Sequence, residues 1–336
     1  MLQQVVLTGI KPTGLPHLGN LVGAIQPAIA MSLDNQKRAF YFIADYHALT
    51  TLKDAQLLKA YTLQVAATWI ALGLNPSRVV FYRQSDVPEL FELSWILACF
   101  TPKGLMNRAH AYKASVQRNA EIGEGDVDAG VNVGLYTYPV LMAADILLMQ
   151  THWVPVGGDQ VQHVEIARDI AQYFNRQYQR AVFVLPEALI DKQGRVIPGV
   201  DGRKMSKSYN NTIPIFGPSD ALRKRIVRIP TDSSAPGEPK DPETSTIFHL
   251  FRLVATPEQT ADFHAQFLAG IAWKDAKDQL FSRLAQHLAA PRERYRDLVK
   301  DPAMIEGILD HGAEQARDLA QDTMRRVRLT IGQNLR

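Results

Sequence analysis

What this sequence lacks narrows it first. Of its 336 residues one is cysteine, Cys99. A single thiol excludes a disulfide framework and any site built from four cysteines, and it fits a reducing compartment. No apolar run approaches the ~20 residues of a membrane span. The opening Met1-Leu2-Gln3-Gln4-Val5-Val6 has no basic segment leading into an apolar one, so no secretory signal is expected. Neither charge dominates: 37 Lys+Arg face 34 Asp+Glu, a net of +3. That balance allows a nucleic-acid partner without arguing for one. At 46% hydrophobic and 21% charged residues, the composition is globular rather than disordered or collagen-like. There is no internal repeat and no GxxxxGK[ST], which excludes a P-loop. His163, His249, His264 and His287 show no paired spacing, so they read as packing groups and no metal site is expected. A cytoplasmic protein with no membrane partner is the resulting expectation.

What is present is an alternation. Residues 4–8, 39–44, 78–82, 152–156 and 181–185 read as short strands, several apolar enough to be buried on both faces. Residues 18–33, 54–72, 138–150 and 160–174 carry helical spacing between them, with Pro27 set to kink or break the first helix. Such alternation predicts an α/β fold with a doubly wound, mostly parallel sheet, whose ligands bind at the carboxyl ends of its strands. After about Thr212 the texture becomes helical, as in Leu280, Leu284 and Leu288. The length suits one large domain or two ordinary ones. The division expected is a catalytic domain over 1–211, a helical domain over 212–300 and a C-terminal helix over 301–336 that packs back on the first. Residues 121–134, rich in Gly and acid, and 233–244, with Pro236, Pro239 and Pro242, read as mobile surface loops.

Two motifs carry chemistry. The first strand runs through Gly9-Ile10-Lys11-Pro12-Thr13-Gly14-Leu15-Pro16-His17-Leu18-Gly19-Asn20 into a helix. The glycines permit close backbone approach, though not at GxGxxG spacing, and the helix start is expected to offer unpaired N–H groups to an anion. His17 and Asn20, one turn apart, can donate to the same oxygens. The second motif is Lys204-Met205-Ser206-Lys207-Ser208 in a polar segment. Two ammonium groups on a loop suit charge that grows in a transition state, such as a departing pyrophosphate. At roughly 5% usage per residue this pentapeptide arises by chance in about one chain of this size in ten thousand.

Lys204–Ser208 matches the KMSKS signature of class I aminoacyl-tRNA synthetases letter for letter, and His17-Leu18-Gly19-Asn20 resembles their HIGH signature in the expected order. The resemblance implies a Rossmann-like catalytic sheet with an appended all-helical domain that reads tRNA. It implies ATP as substrate, with Mg²⁺ bound through the nucleotide, an aminoacyl-adenylate, and transfer to tRNA.

Tyr138, Met142, Asp145 and Met149 fall at i, i+4, i+7 and i+11, on one helical face. A carboxylate in an apolar stripe needs a donor. An indole N–H, which only donates, satisfies it; so does a Lys or Arg from elsewhere. The segment, with Val154-Pro155-Val156-Gly157-Gly158-Asp159-Gln160 and Asp45-Tyr46-His47-Ala48-Leu49-Thr50, resembles the tryptophanyl-tRNA synthetase pattern from Gly9 to the last helix. That resemblance implies that Asp145 accepts the indole N–H, Tyr138 and Gln160 hold the ammonium, Met142, Val154 and Val156 line the slot, and His47 lies near substrate. For ATP it implies Lys11, Pro12, Thr13, Gly19, Asn20, Gly157, Gly158, Asp159, Val196, Lys204, Met205, Ser206, Lys207 and Ser208, with His17, Asn20, Lys204 and Lys207 catalytic. Lys11 stands where the family often has Gln, and the hypothesis is that it pairs with the α-phosphate or the substrate carboxylate. Arg223, Lys224, Arg225 and Arg228, then Arg292, Arg294 and Arg296, then Arg325, Arg326 and Arg328, form basic clusters suited to tRNA phosphates or to solvated helix faces. The partners implied are L-tryptophan, ATP, tRNA(Trp) and a second copy of the chain, the apolar stretch 90–112 offering surface for the last; no DNA is expected. A tyrosyl-tRNA synthetase is the nearest alternative, since a tyrosine hydroxyl also donates.

Overall fold

The computed structural model describes residues 3–190 and 197–333, with the backbone alone at Asp159. Strand β1 (Gln4–Ile10) leads into a helix over 18–31, α1, and then β2 (Lys37–Ile43), α2 (Ala55–Ala71) and β3 (Val79–Arg83). There follow α3 (Glu89–Phe100), α4 (His110–Glu121), α5 (Val133–Leu148), β4 (Trp153–Val156), α6 (Val161–Gln177) and β5 (Glu187–Ile190). The rest is helical: α7 (Ser219–Val227), α8 (Thr246–Arg252), α9 (Pro257–Leu268), α10 (Trp273–His287), α11 (Ala289–Lys300) and α12 (Pro302–Thr330). The five strands pair in parallel in the order β3-β2-β1-β4-β5. The order reverses between β1 and β4, which puts the ligand crevice beyond the ends of these two strands.

Alternate strand residues feed two cores. Val6, Tyr41, Ile43 and Phe81 face one, which runs on into the helical part through Phe248, Phe263, Leu280 and Ile305. Val5, Leu7, Phe40, Phe42 and Tyr82 face the other, with α3, α5 and α6. Edge strand β3 is covered by α12, where a Cβ at Gly312 would stand 1.9 Å from the Phe81 carbonyl oxygen. Only glycine allows the helix this close, and the cover removes an exposed sheet edge. Arg83, at the end of β3, is clasped by Asp86, Glu306 and Asp310.

Three expectations change, and the break expected at Pro27 takes a definite form. The fifth strand is not 181–185: Asn175 takes the N–H groups of Val182 and Phe183 on Oδ1 and donates to the Phe183 carbonyl, so side-chain pinning replaces strand pairing. Pro27 breaks α1 as a π-helical stretch, Leu21–Ile25, which places the missing N–H at the first turn of a fresh α segment. The helix expected from 138 begins at Val133, capped by Asn132, and carries Pro139 inside. The two surface segments are tied down: Asn119 donates to Val127 and Ala129, and buried Lys240 donates to the carbonyls of Ala235 and Glu238 beneath Trp273.

Candidate active site

A cavity of about 370 Å³ opens beyond the carboxyl end of β1, within the ordinary range for a small-molecule site. Lys11, Thr13, Gly14, His17 and Asn20 form one wall; Met205, Ser206 and Lys207 form the other. The two motifs, some 190 positions apart in sequence, thus meet across one space. Lys207 Nζ donates to the Gly14 carbonyl at 3.0 Å, where Gly14 turns with φ +132°, a region that favours glycine. Met205, buried, accepts the Gly19 N–H on sulfur at 3.3 Å.

That bond corrects the expectation of a free helix N-terminus. Leu18 N–H goes to the Ile213 carbonyl, Gly19 N–H to Met205, and the Asn20 and Leu21 N–H groups to the His17 carbonyl. The anion-facing groups are side chains instead. Asn20 Oδ1 accepts the His17 N–H at 3.1 Å, leaving the Asn20 Nδ2 to donate. Burial, helped by the Lys207 charge, holds the His17 imidazole down at about 4, so it is neutral at pH 7. Burial also lowers Lys11 and Lys207. Of the two signature lysines only Lys207 reaches the cavity; Lys204 is exposed, its backbone paired with Pro198, and does not line it. Ser208 N–H is bonded to Ser206 Oγ, and Pro12 lies buried in the turn after β1.

The loop owes its shape to a residue outside both motifs. Asn211, 1% exposed, donates from Nδ2 to Asp201 Oδ1 at 2.7 Å and to the Lys204 carbonyl at 3.1 Å, and accepts the Ser206 N–H at 2.8 Å. A Cβ at Gly199 would meet its amide at 2.3 Å. The signal available was the paired amide, Asn210-Asn211, one residue beyond the signature.

On the other side of the switch point, Asp145 is buried on α5. It meets neither Lys nor Arg among the described residues. His47 Nε2 lies 2.9 Å from Oδ2, and Gln84 Nε2 donates to both oxygens at 2.8 and 2.9 Å. Burial raises the Asp145 carboxyl, and the His47 and Gln84 hydrogen bonds oppose that. The void beside it is about 10 Å³, no more than about one water. Gln84 went unmarked in the sequence, although it follows a strand end where ligands gather. Tyr138 is buried, its hydroxyl bonded to His163 and its titration pushed up to about 12 by burial. His163 is therefore a hydrogen-bonding partner and not a mere packing group. Met142 and Val156 are half-buried and Val154 buried, all in the second core. Lys11 Nζ stands 5.3 Å over the Tyr138 ring, linking the two halves. Gly157 and Gly158 follow β4, with open space where a Cβ at Gly158 would stand, and Gln160 opens α6. Val196 and the Asp159 side chain lie outside the described residues.

The basic clusters are largely spent internally. Arg223 pairs with Asp278, Arg225 holds the Thr212 carbonyl, and Arg294 the Ala71 carbonyl. Arg325 and Arg326 pair with Asp322, and Arg328 with Glu92. Among the described residues no three His, Cys, Asp or Glu side chains gather as a metal site, and no helix is long and apolar enough to cross a membrane.

The family model for tRNA synthetases class I (W and Y) matches residues 3–289. The chain is similar to Tryptophan--tRNA ligase of Pseudomonas aeruginosa, 55% identical over 97% of this chain and 73% of the relative. It is similar also to Tryptophan--tRNA ligase of Neisseria meningitidis, 50% identical over 99% of this chain and 98% of the relative. Among solved structures it resembles tryptophanyl-tRNA synthetase of Campylobacter jejuni complexed with ADP and tryptophan, 42% identical, TM-score 0.88, covering 98% of this chain and 100% of that one.

Proposed function

The chain belongs to the class I tRNA synthetases of the tryptophan and tyrosine kind, and from that premise we propose that it is the tryptophan–tRNA ligase of its cell. It activates L-tryptophan with ATP to tryptophanyl-adenylate and pyrophosphate, then transfers the tryptophanyl group to the 3′-terminal adenosine of tRNA(Trp). The observation that carries the choice of amino acid is Asp145, a buried carboxylate held by an imidazole and an amide rather than by a lysine or arginine, on the helix face it shares with Tyr138 and Met142. ATP–pyrophosphate exchange across the twenty amino acids tests it: tryptophan alone supports exchange, and exchange with tyrosine instead overturns the assignment.

In the first step the tryptophan carboxylate attacks the α-phosphorus in line and the bond to pyrophosphate breaks. No protein acid or base is needed, so positioning and charge carry the step. Neutral His17 and the Asn20 Nδ2 donate to phosphate oxygens as their geometry changes. Lys207 neutralises the departing pyrophosphate; Lys204, on the outer side of the loop, contributes less. Lys11, over Tyr138, is placed between nucleotide and amino acid and takes the α-phosphate or the carboxylate. Tyr138 and Gln160 hold the ammonium, Met142, Val154 and Val156 flank the ring, and Gly157, Gly158 and Asp159 take the ribose, with Val196 at the adenine. Among the described residues the cavity wall offers lysines, an imidazole and neutral groups but no carboxylate, which fits Mg²⁺ held by the nucleotide's own phosphates, where it would offset their charge.

In the second step a hydroxyl of the terminal adenosine attacks the adenylate carbonyl and AMP leaves. The helical region 212–300 is the part proposed to read tRNA, with Lys224, Arg228 and Arg296, for which no ion pair is seen among the described residues. Trp95, 74% exposed, and Phe91 on α3 suit a homodimer face. The exposed single thiol Cys99 fits a cytoplasmic setting.

A further inference from the structure

One buried polar side chain near the amino-acid half has no part in the mechanism above. Gln84 is 1% exposed and stands immediately beyond β3. Its Nε2 spans both oxygens of Asp145, at 2.8 and 2.9 Å, while its Oε1 accepts the backbone N–H of His47 at 3.3 Å. Only this orientation of the amide pairs both ends, because a flip sets oxygen against carboxylate and N–H against N–H. His47 Nε2 adds a further contact at Oδ2. A carboxylate has about four acceptor sites, two on each oxygen. Gln84 and His47 fill three, two of them on Oδ2, and one site on Oδ1 is left.

We infer that Gln84 is a specificity-positioning residue: it turns Asp145 so that a single acceptor site on Oδ1 meets the substrate ring. The inference rests on the reading of Asp145 as the indole acceptor. A site of this kind offers an acceptor and no facing donor, since one Gln84 N–H, shared between the two oxygens, and the His47 N–H are already on the carboxylate, and the second Gln84 amide hydrogen is turned away from it. An indole N–H, which only donates, is fully satisfied there. A phenol hydroxyl can donate to Oδ1, but its own lone pairs then meet no donor in the Asp145–His47–Gln84 group, and an unpaired buried polar group is how such sites reject a near-isostere.

The test compares tryptophan with β-(3-benzothienyl)alanine, in which sulfur replaces the ring N–H, and with tyrosine, by ATP–pyrophosphate exchange on the full chain. In Gln84→Met, close in size and without the amide, the tryptophan-to-sulfur-analogue ratio of kcat/KM is expected to fall about tenfold, through the KM for tryptophan. The KM for ATP stays as it was, and discrimination against tyrosine weakens. A purely structural role would lower both amino acids together and leave the ratio intact, and that result overturns the inference. Should the Met variant fail to fold, Gln84→Asn keeps an amide but withdraws it by one methylene; the ratio must fall there too, and an unchanged ratio is equally fatal. Asp145→Asn separates the two readings. If it lowers the ratio while the Gln84 variants do not, Gln84 is only structural and Asp145 stands; if it leaves the ratio unchanged, the reading of Asp145 fails and Gln84 falls with it.

Discussion

On the nucleotide side of the site, Lys207, Met205 and Ser206 reach toward Gly14, Gly19 and His17 across about 370 Å³ of open space. On the amino-acid side, Asp145, His47 and Gln84 are hydrogen-bonded with a void of about 10 Å³ beside them. The first half is made of turns and a loop; one lysine and one thioether tie the loop's signature residues to the turn, and backbone bonds at Ile213 and Ile215 fasten its base. The second is made of a strand end and the inner face of a helix, with every carboxylate oxygen engaged. A loop that must open and close for a large substrate is held by contacts that let go. A group that must tell one ring from another is held by contacts that do not.

The largest effect expected from this contrast is at Lys207. Lys207→Ala should lower the rate of pyrophosphate exchange by about 10²–10³-fold, as for loss of a preorganised charge partner, with tryptophan binding measured by calorimetry nearly unchanged. Equal losses in both would show that the two halves are not separable. Lys204→Ala should cost clearly less than Lys207→Ala in the same assay, because the exposed Lys204 stands off the cavity; a reversed order would mean that the loop rearranges when ATP enters.

Next in size is Asn211→Ala, which strips three hydrogen bonds from the base of the loop. About a tenfold loss in kcat/KM for ATP is expected, with the KM for tryptophan unmoved. A matching rise in both KM values would place Asn211 in the general fold instead.

The smallest effect is at His17. Its folded-state value, about 4, lies below the ordinary 6.5, so between these limits the unfolded chain binds the extra proton. Stability from this group is present above pH 6.5 and is lost as pH falls toward 4. Urea midpoints at pH 7 and pH 5 should therefore differ less in His17→Gln than in the unmodified chain. The exchange rate should show no His17 inflection between pH 5.5 and 8.

The same contrast explains what could be read from the sequence. The alternation of strands and helices located four of the five strands to within about two residues, because each is a mostly apolar run, with β2 and β3 buried on both faces. The fifth was misplaced since Val182 and Phe183 are apolar for packing, not for pairing, and the Asn175 side chain that pins them leaves no periodic trace. The nucleotide half is carried by two contiguous motifs, so its residues were legible, apart from Asn211. Its backbone was not: the helix start looked like an anion site, and only the folded chain shows Met205 sulfur and the Ile213 carbonyl occupying it. In the amino-acid half Asp145 stood out as one acid in an apolar stripe. Its partners come from β3 and from the turn after β2, about 60 and about 100 positions away, and spacing cannot report contacts of that range. The arginine clusters could not be divided in sequence for a related reason, since charge there does not distinguish an arginine open to nucleic acid from one that holds the Ala71 carbonyl or Glu92.

The most direct measurement is a crystal structure of the chain with L-tryptophan bound. The account predicts the indole nitrogen within hydrogen-bonding distance of Asp145 Oδ1, about 2.7–3.2 Å, with Gln84 and His47 still on the carboxylate and Tyr138 beside the ammonium. Tryptophan seated elsewhere, with its ring nitrogen bonded to another group while Asp145 keeps only its internal partners, would contradict it.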